Sequence, residues 1–156
     1  MTTTGPRLAT LELPDFGEPA VRPELPASRH PERIAALRAR MARRGYDRLV
    51  VYADREHSAA LSFLTGFDPR FEEAILVLGP DGDPAILVGN ECFGMAGAAP
   101  LPMRRHLLQD LSLPSQPRDR SRPLAEILAD EGIGRNGRIG VVGWKTYADR
   151  STIEVP

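Results

Sequence analysis

RIAALRARMARRGYDRLVVYADREHSAALSFLTGFDPRFEEAILVLGPDGDPAILV, residues 33–88, carries two periodicities in succession. Ile34, Leu37 and Met41 recur at helical spacing with arginines on the opposite side, and Gly45 is a natural stop. Residues 49–53 form a short apolar run rich in β-formers, which reads as a buried strand. A helix passing into a strand across a tight Gly-Tyr-Asp turn predicts a layered α/β architecture.

Within the same stretch, Asp54 is placed to cap a second helix, with Glu56 and His57 in its first turn and Leu61 and Leu64 facing the core. Gly66 ends that helix, and Phe67-Asp68-Pro69 is a turn, because a residue before proline is biased away from helix. Strands are expected over 73–78 and 85–88, joined by GPDGDP, whose Asp-Gly pair signals a β-hairpin. Glu72 and Glu73 are neighbours, so on a strand they would point to opposite faces.

Outward from this stretch, Pro31 suits a first helical turn. Residues 1–27 hold prolines at 6, 14, 19, 23 and 26 and no sustained periodicity, so they read as an arm that lies across the surface or reaches a neighbour. On the other side, Asn90 is placed to cap a short helix through ECFGMAGAA, and 102–107 is a strand candidate. Residues 108–120 read as a polar loop. Residues 122–131 read as a helix with Leu124, Ile127 and Leu128 inward, and 138–142 as a buried strand. The order α-β-α-β-β-α-β-α-β implies a mixed β-sheet flanked by helices, with the domain at 28–143 and a linker beginning at 144–156.

The 156 residues suffice for one domain with a real core. A net charge of −1 gives no electrostatic case for nucleic acid or an anionic membrane, and no run is long and apolar enough to span a bilayer. With Cys92 as the sole cysteine and no secretory leader pattern, a reducing cytoplasmic setting is expected. Lys145 is the only lysine, a bias read as genomic.

Chemical motifs are sparse. GIGRNG, residues 132–137, matches G-x-G-x-x-G, but a helix precedes it and a strand follows, the reverse of a phosphate-binding turn. His30, His57 and His106 are scattered, so neither a metal site nor a catalytic group is expected in this chain. Ser58 beside His57 does not make a nucleophile–base pair, since helical neighbours face apart. Asp54, Arg55, His57, Phe67, Asp68 and Arg70 remain, flanking the second helix. Local capping and turn chemistry accounts for most of them; the functional alternative is a polar rim facing a substrate or a partner.

The arginine-rich first helix ending in Gly45-Tyr46-Asp47, the strand after it, FLTGF at 63–67 and the hairpin beyond occur in an order that resembles the N-terminal domain of the creatinase and Xaa-Pro aminopeptidase/prolidase family. The resemblance covers about residues 31–90 well, and continues loosely to 143. It implies a creatinase/prolidase N-terminal domain-like fold preceding a larger catalytic domain. That absent domain would hold two divalent metals (manganese, cobalt or zinc) on two Asp, one His and two Glu, and would cleave the bond before proline. The ligand motifs do not occur here, so the chain is expected to lack the hydrolase activity. It would instead help build a homodimer and cover a peptide-binding site, with the six rim residues as candidates facing the substrate or the catalytic domain. A free-standing binding module and a creatinase-like amidinohydrolase parent are the alternatives. The end of the sequence, WKTYADRSTIEVP, reads as cut before a further element.

Overall fold

The computed structural model describes residues 5–6, 8–18, 20–21 and 24–143, so the expected linker at 144–156 lies outside the described residues. Helix α1 (Arg29–Arg44) buries Ile34 and Met41 and ends at Gly45. Two of its arginines tie it down: Arg33 donates to the Phe63 carbonyl at 2.6 Å, and Arg38 donates to the Gly79 carbonyl at 3.0 Å. Five strands follow in the mixed sheet: β1 (Arg48–Ala53), β2 (Ala74–Leu78), β3 (Ala85–Val88), β4 (Arg104–Leu107) and β5 (Ile139–Val142), in spatial order β4-β3-β2-β1-β5. β1–β2 and β2–β3 are antiparallel; β1–β5 and β3–β4 are parallel. The helices between them are α2 (Ala59–Thr65), α3 (Asn90–Met95) and α4 (Leu124–Asp130).

The sheet has two unequal faces. On one, α1, α2 and α3 place Ile34, Met41, Leu61, Leu64 and Cys92 against Val51, Leu76, Ile86 and Val88. On the other, Ile127 of α4 packs with Val77, Ala85, Leu87 and Leu108, with Ile75 half-buried beside them. Paired strand residues share a face. The registers Val50↔Val77 and Val50↔Val141 therefore put Val141 on the α4 face. There, away from α4, Val141 is 62% exposed.

Several expectations change. The second helix starts at Ala59 after Ser58, not at Asp54, because the Asp54 carboxylate is already engaged by the loop before it. The third helix is preceded by Gly89, and Asn90 does not cap it; Asn90 instead donates to Gln116 Oε1 at 3.1 Å. Glu72 and Glu73 precede β2 instead of lying on it, so opposite pointing does not apply. Leu124 is at the surface, not inward, and β5 is half-exposed, last in the sheet order among the described residues, and not buried. Residues 108–120 are not a plain polar loop. Buried Gln109 accepts from the Ser121 N–H at 3.0 Å and donates to Asn90 Oδ1 at 2.8 Å. Arg118 closes the loop by donating to the carbonyls of Gln109 and Ser112.

Candidate functional site

Strand register gathers the site. Ala53, the last residue of β1, pairs with Ala74, the first of β2, and Ala74 pairs with Val88, the last of β3. Residues 54–58, 66–73 and the turn into α3 therefore emerge at one end of the sheet. This is the carboxyl end of the parallel pair β1 and β5, the end at which open α/β sheets bind ligands.

In the first loop, Asp54 Oδ1 accepts from the N–H groups of Glu56 at 2.8 Å and His57 at 2.7 Å. The His57 ring closes the turn, its Nδ1 3.0 Å from the same oxygen. A carboxylate can only accept, so Nδ1 carries the proton and Nε2 is left for an outside partner. Burial raises the affinity of Asp54 for its proton, but the hydrogen bonds from the His57 ring and the two N–H groups outweigh it and hold the carboxyl below its ordinary range. Arg55 is exposed and has no ion pair or hydrogen bond among the described residues.

The second loop is a locked turn. The Phe67 N–H donates to Thr65 Oγ1 at 3.0 Å, and Ser62 Oγ donates to the Phe67 carbonyl at 3.1 Å. Asp68 Oδ1 accepts from the Arg70 N–H at 2.9 Å and holds Arg70 at φ 61°, a left-handed conformation unusual for a side chain of that size. The Arg70 guanidinium has no partner among the described residues. An open depression of about 310 Å³ is lined by Phe67, Asp68 and Arg70 on one side and Met95, Ala98 and Ala99 on the other. Gly66 fits at its edge because a Cβ there would run into Pro100.

Thus the structure brings Phe67, Asp68 and Arg70 around one depression and bonds Asp54 to His57, while Arg55 stands alone. Phe67 is only 4% exposed, so it forms wall and not protruding rim. Three residues were missed by the sequence reading. Tyr52 bonds Glu73; burial first, then that bond and the charges of Glu73 and Asp54, push its hydroxyl above the ordinary range and keep it neutral. Glu72, 2% exposed, accepts from the N–H groups of Glu91 at 3.2 Å and Cys92 at 2.9 Å. The only available signal was a pair of acids set between a turn and an apolar run.

Chemically, the site offers two unpaired guanidiniums for an anion and one imidazole nitrogen. It offers no activated nucleophile. The Cys92 thiol donates to the Pro69 carbonyl at 3.1 Å and is pushed up to about 12, by burial first and then by Glu72 and the nearby acids. Among the described residues no three His, Cys, Asp or Glu side chains converge as a metal site requires. No described helix is long and apolar enough to cross a membrane.

No protein-family model matches the chain, and no curated protein matches it. Among solved structures, the chain is similar to a Creatine_N superfamily domain of a dipeptidase from Streptococcus thermophilus. Identity is 18%, covering 62% of this chain and 64% of that one, at a TM-score of 0.45. It is also similar to the N-terminal creatinase/prolidase-like domain of a metallopeptidase from Corynebacterium diphtheriae, with 19% identity over 73% of this chain and 94% of that one, at a TM-score of 0.45. A third is dipeptidase PepE from Mycobacterium ulcerans, with 17% identity over 70% of this chain, at a TM-score of 0.46. This chain spans 64% of the first of these and 28% of the PepE chain.

Proposed function

We propose that this chain is the non-catalytic N-terminal domain of a cytoplasmic Xaa-Pro peptidase-like metallohydrolase, where it contributes to assembly and restricts access to the substrate site. The observation that carries the reading is the convergence of the loops 54–58 and 66–73 at one sheet end, with Arg70 unpaired among the described residues on the wall of an open depression. The ordered features of residues 33–88 set out above add the family resemblance. A guanidinium at this rim suits a peptide carboxylate, and Asp68 suits a free amine. The divalent metals belong to the catalytic domain of the parent, where they would supply an activated water. The described residues of this chain hold none of the ligands in a convergent set.

The reading frame beyond Pro156 tests this directly. It should encode a second domain of about 220 residues carrying spaced Asp, Asp, His and Glu ligands; a stop codon there overturns the reading. In that full-length protein, Arg70→Ala should raise KM for Xaa-Pro peptides or shift the preferred peptide length. Arg70→Gly should do the same while stability does not fall, because glycine accepts the positive φ without strain. Unchanged kinetics in both variants would assign Arg70 to the turn alone.

A further inference from the structure

We infer that the acidic arm of one copy of this chain, residues 8–18, docks on the basic outer face of α1 in a second copy. Three observations meet here. First, α1 carries Arg29, Arg33, Arg38, Arg40, Arg43 and Arg44 against one acid, Glu32. Arg29 pairs with Glu32, Arg33 lies over the Phe63 ring, and Arg38 donates to the carbonyls of Gly79 and Gly82. Arg40, Arg43 and Arg44 are exposed and have no ion pair or hydrogen bond among the described residues. Arg40 stands three residues from Arg43 and four from Arg44, spacings at which like charges repel and destabilise a helix. The negative end of the helix favours Arg43 and Arg44, in its last turn, but Arg40 lies before that turn. Arg138 adds a fourth guanidinium at this end: its Nη1 is 3.7 Å from where a Cβ on Gly45 would stand. An anion laid across these groups relieves a repulsion that one copy alone leaves standing.

Second, the arm carries the matching charge. Residues 8–18 hold Glu12, Asp15 and Glu18 and no cation. Glu12 and Glu18 have no partner among the described residues, and Asp15 accepts only from the Gly17 N–H, at 2.8 Å. Within one copy both halves of the match stay vacant, which points to a second copy as the occupant.

Third, the arm sorts its side chains for such a surface. Prolines at 6, 14 and 19 favour the polyproline II helix, which repeats every three residues. In that form Glu12 and Asp15 share one edge, about 9 Å apart, while Leu11 falls with Pro14 and Leu13 with Phe16. Leu11, Leu13 and Phe16 are between 80% and 91% exposed, so nothing in their own copy covers them. Beside its free arginines α1 exposes Ala35, Ala39 and Ala42, short side chains that leave room for those apolar edges.

The inference rests on the assembly part of the proposed function and not on the site-covering part. It is tested on the 156-residue chain by sedimentation. A dimer should weaken roughly tenfold or more on Glu12→Arg with Asp15→Arg, and equally on Arg40→Glu with Arg43→Glu; all four changes together should restore it. Because Arg43→Glu opposes the helix end, Arg40→Glu alone is the second variant, and it should weaken the dimer while helical circular dichroism is unchanged. The unsubstituted dimer should also weaken at about 1 M salt, where exposed charges are screened. Copies carrying Leu11→Cys, mixed with copies carrying Ala39→Cys under mild oxidation, should form a disulfide between the two; the buried Cys92 does not compete. A dimer indifferent to the charge changes overturns the inference and leaves the assembly reading standing; a monomer at all concentrations removes both. A disulfide formed within one doubly substituted copy and never between copies overturns it as well, since the arm then lies on its own helix.

Discussion

Glu72 is a carboxylate at 2% exposure with no cation paired to it among the described residues. What holds it is the start of α3: both oxygens are occupied by the N–H groups of Glu91 and Cys92, where the helix end is electropositive. The fit depends on Gly89, since a Cβ there would stand 2.8 Å from the Glu72 carboxyl carbon. Glu72→Ala should therefore cost about 1–3 kcal/mol in urea unfolding, because it strands the buried Cys92 N–H and the partly buried Glu91 N–H. Glu72→Gln, which keeps one acceptor, should cost less. None of this was legible from sequence, because the capping carboxylate lies 18 residues before the helix it caps, on a different loop. Asp54 shows the converse. The sequence reading made it the cap of the second helix, but the turn directly after it takes the carboxylate before any helix begins.

At the scale of elements, one carboxylate joins the end of α4 to the edge strand β4. Glu131 accepts from Arg104 and from His106 Nε2 at 2.7 Å, while its own carbonyl accepts from Arg48 Nε at 2.8 Å. Burial raises the pKa of Glu131, but the hydrogen bonds and charges of Arg104 and His106 prevail and lower it. A carboxyl lowered by folding stabilises the folded chain above its unfolded pKa of about 4.3, and that stabilisation fades as pH falls through the lowered value. Glu131→Gln should thus lose about 1–2 kcal/mol near neutral pH, discounted because Arg104 is half exposed. Urea titrations at about pH 7 and about pH 3 should show that difference shrinking at the acid end. The order of the elements was legible because helix and strand periods are local. Which strands are neighbours was not, since the β1–β5 and β3–β4 pairings are parallel and non-local and leave no mark in any one window. The site was legible in part for the same reason: the turn residues announce themselves, but their convergence at one sheet end follows from register.

Across the whole molecule, Cys92 supplies a probe of cooperativity. It sits at 0% exposure between α3 and the sheet, with its thiol pushed up to about 12, so in the native chain at about pH 8 it should react with an aromatic disulfide far more slowly than a free thiol. Labelling should accelerate in step with global unfolding in urea. Rapid labelling in native buffer would instead show that the loops around α3 open on their own. The strand order carries a further implication, for biosynthesis. Among the described strands β1 is made first, yet the flank it turns away from β2 pairs with β5, and Asp47 accepts from the Arg138 N–H across a separation of 91 residues. While residues 54–138 are being made the nascent sheet therefore presents β1 as a bare apolar border, and that border meets β5 only after a long stretch of chain has been added.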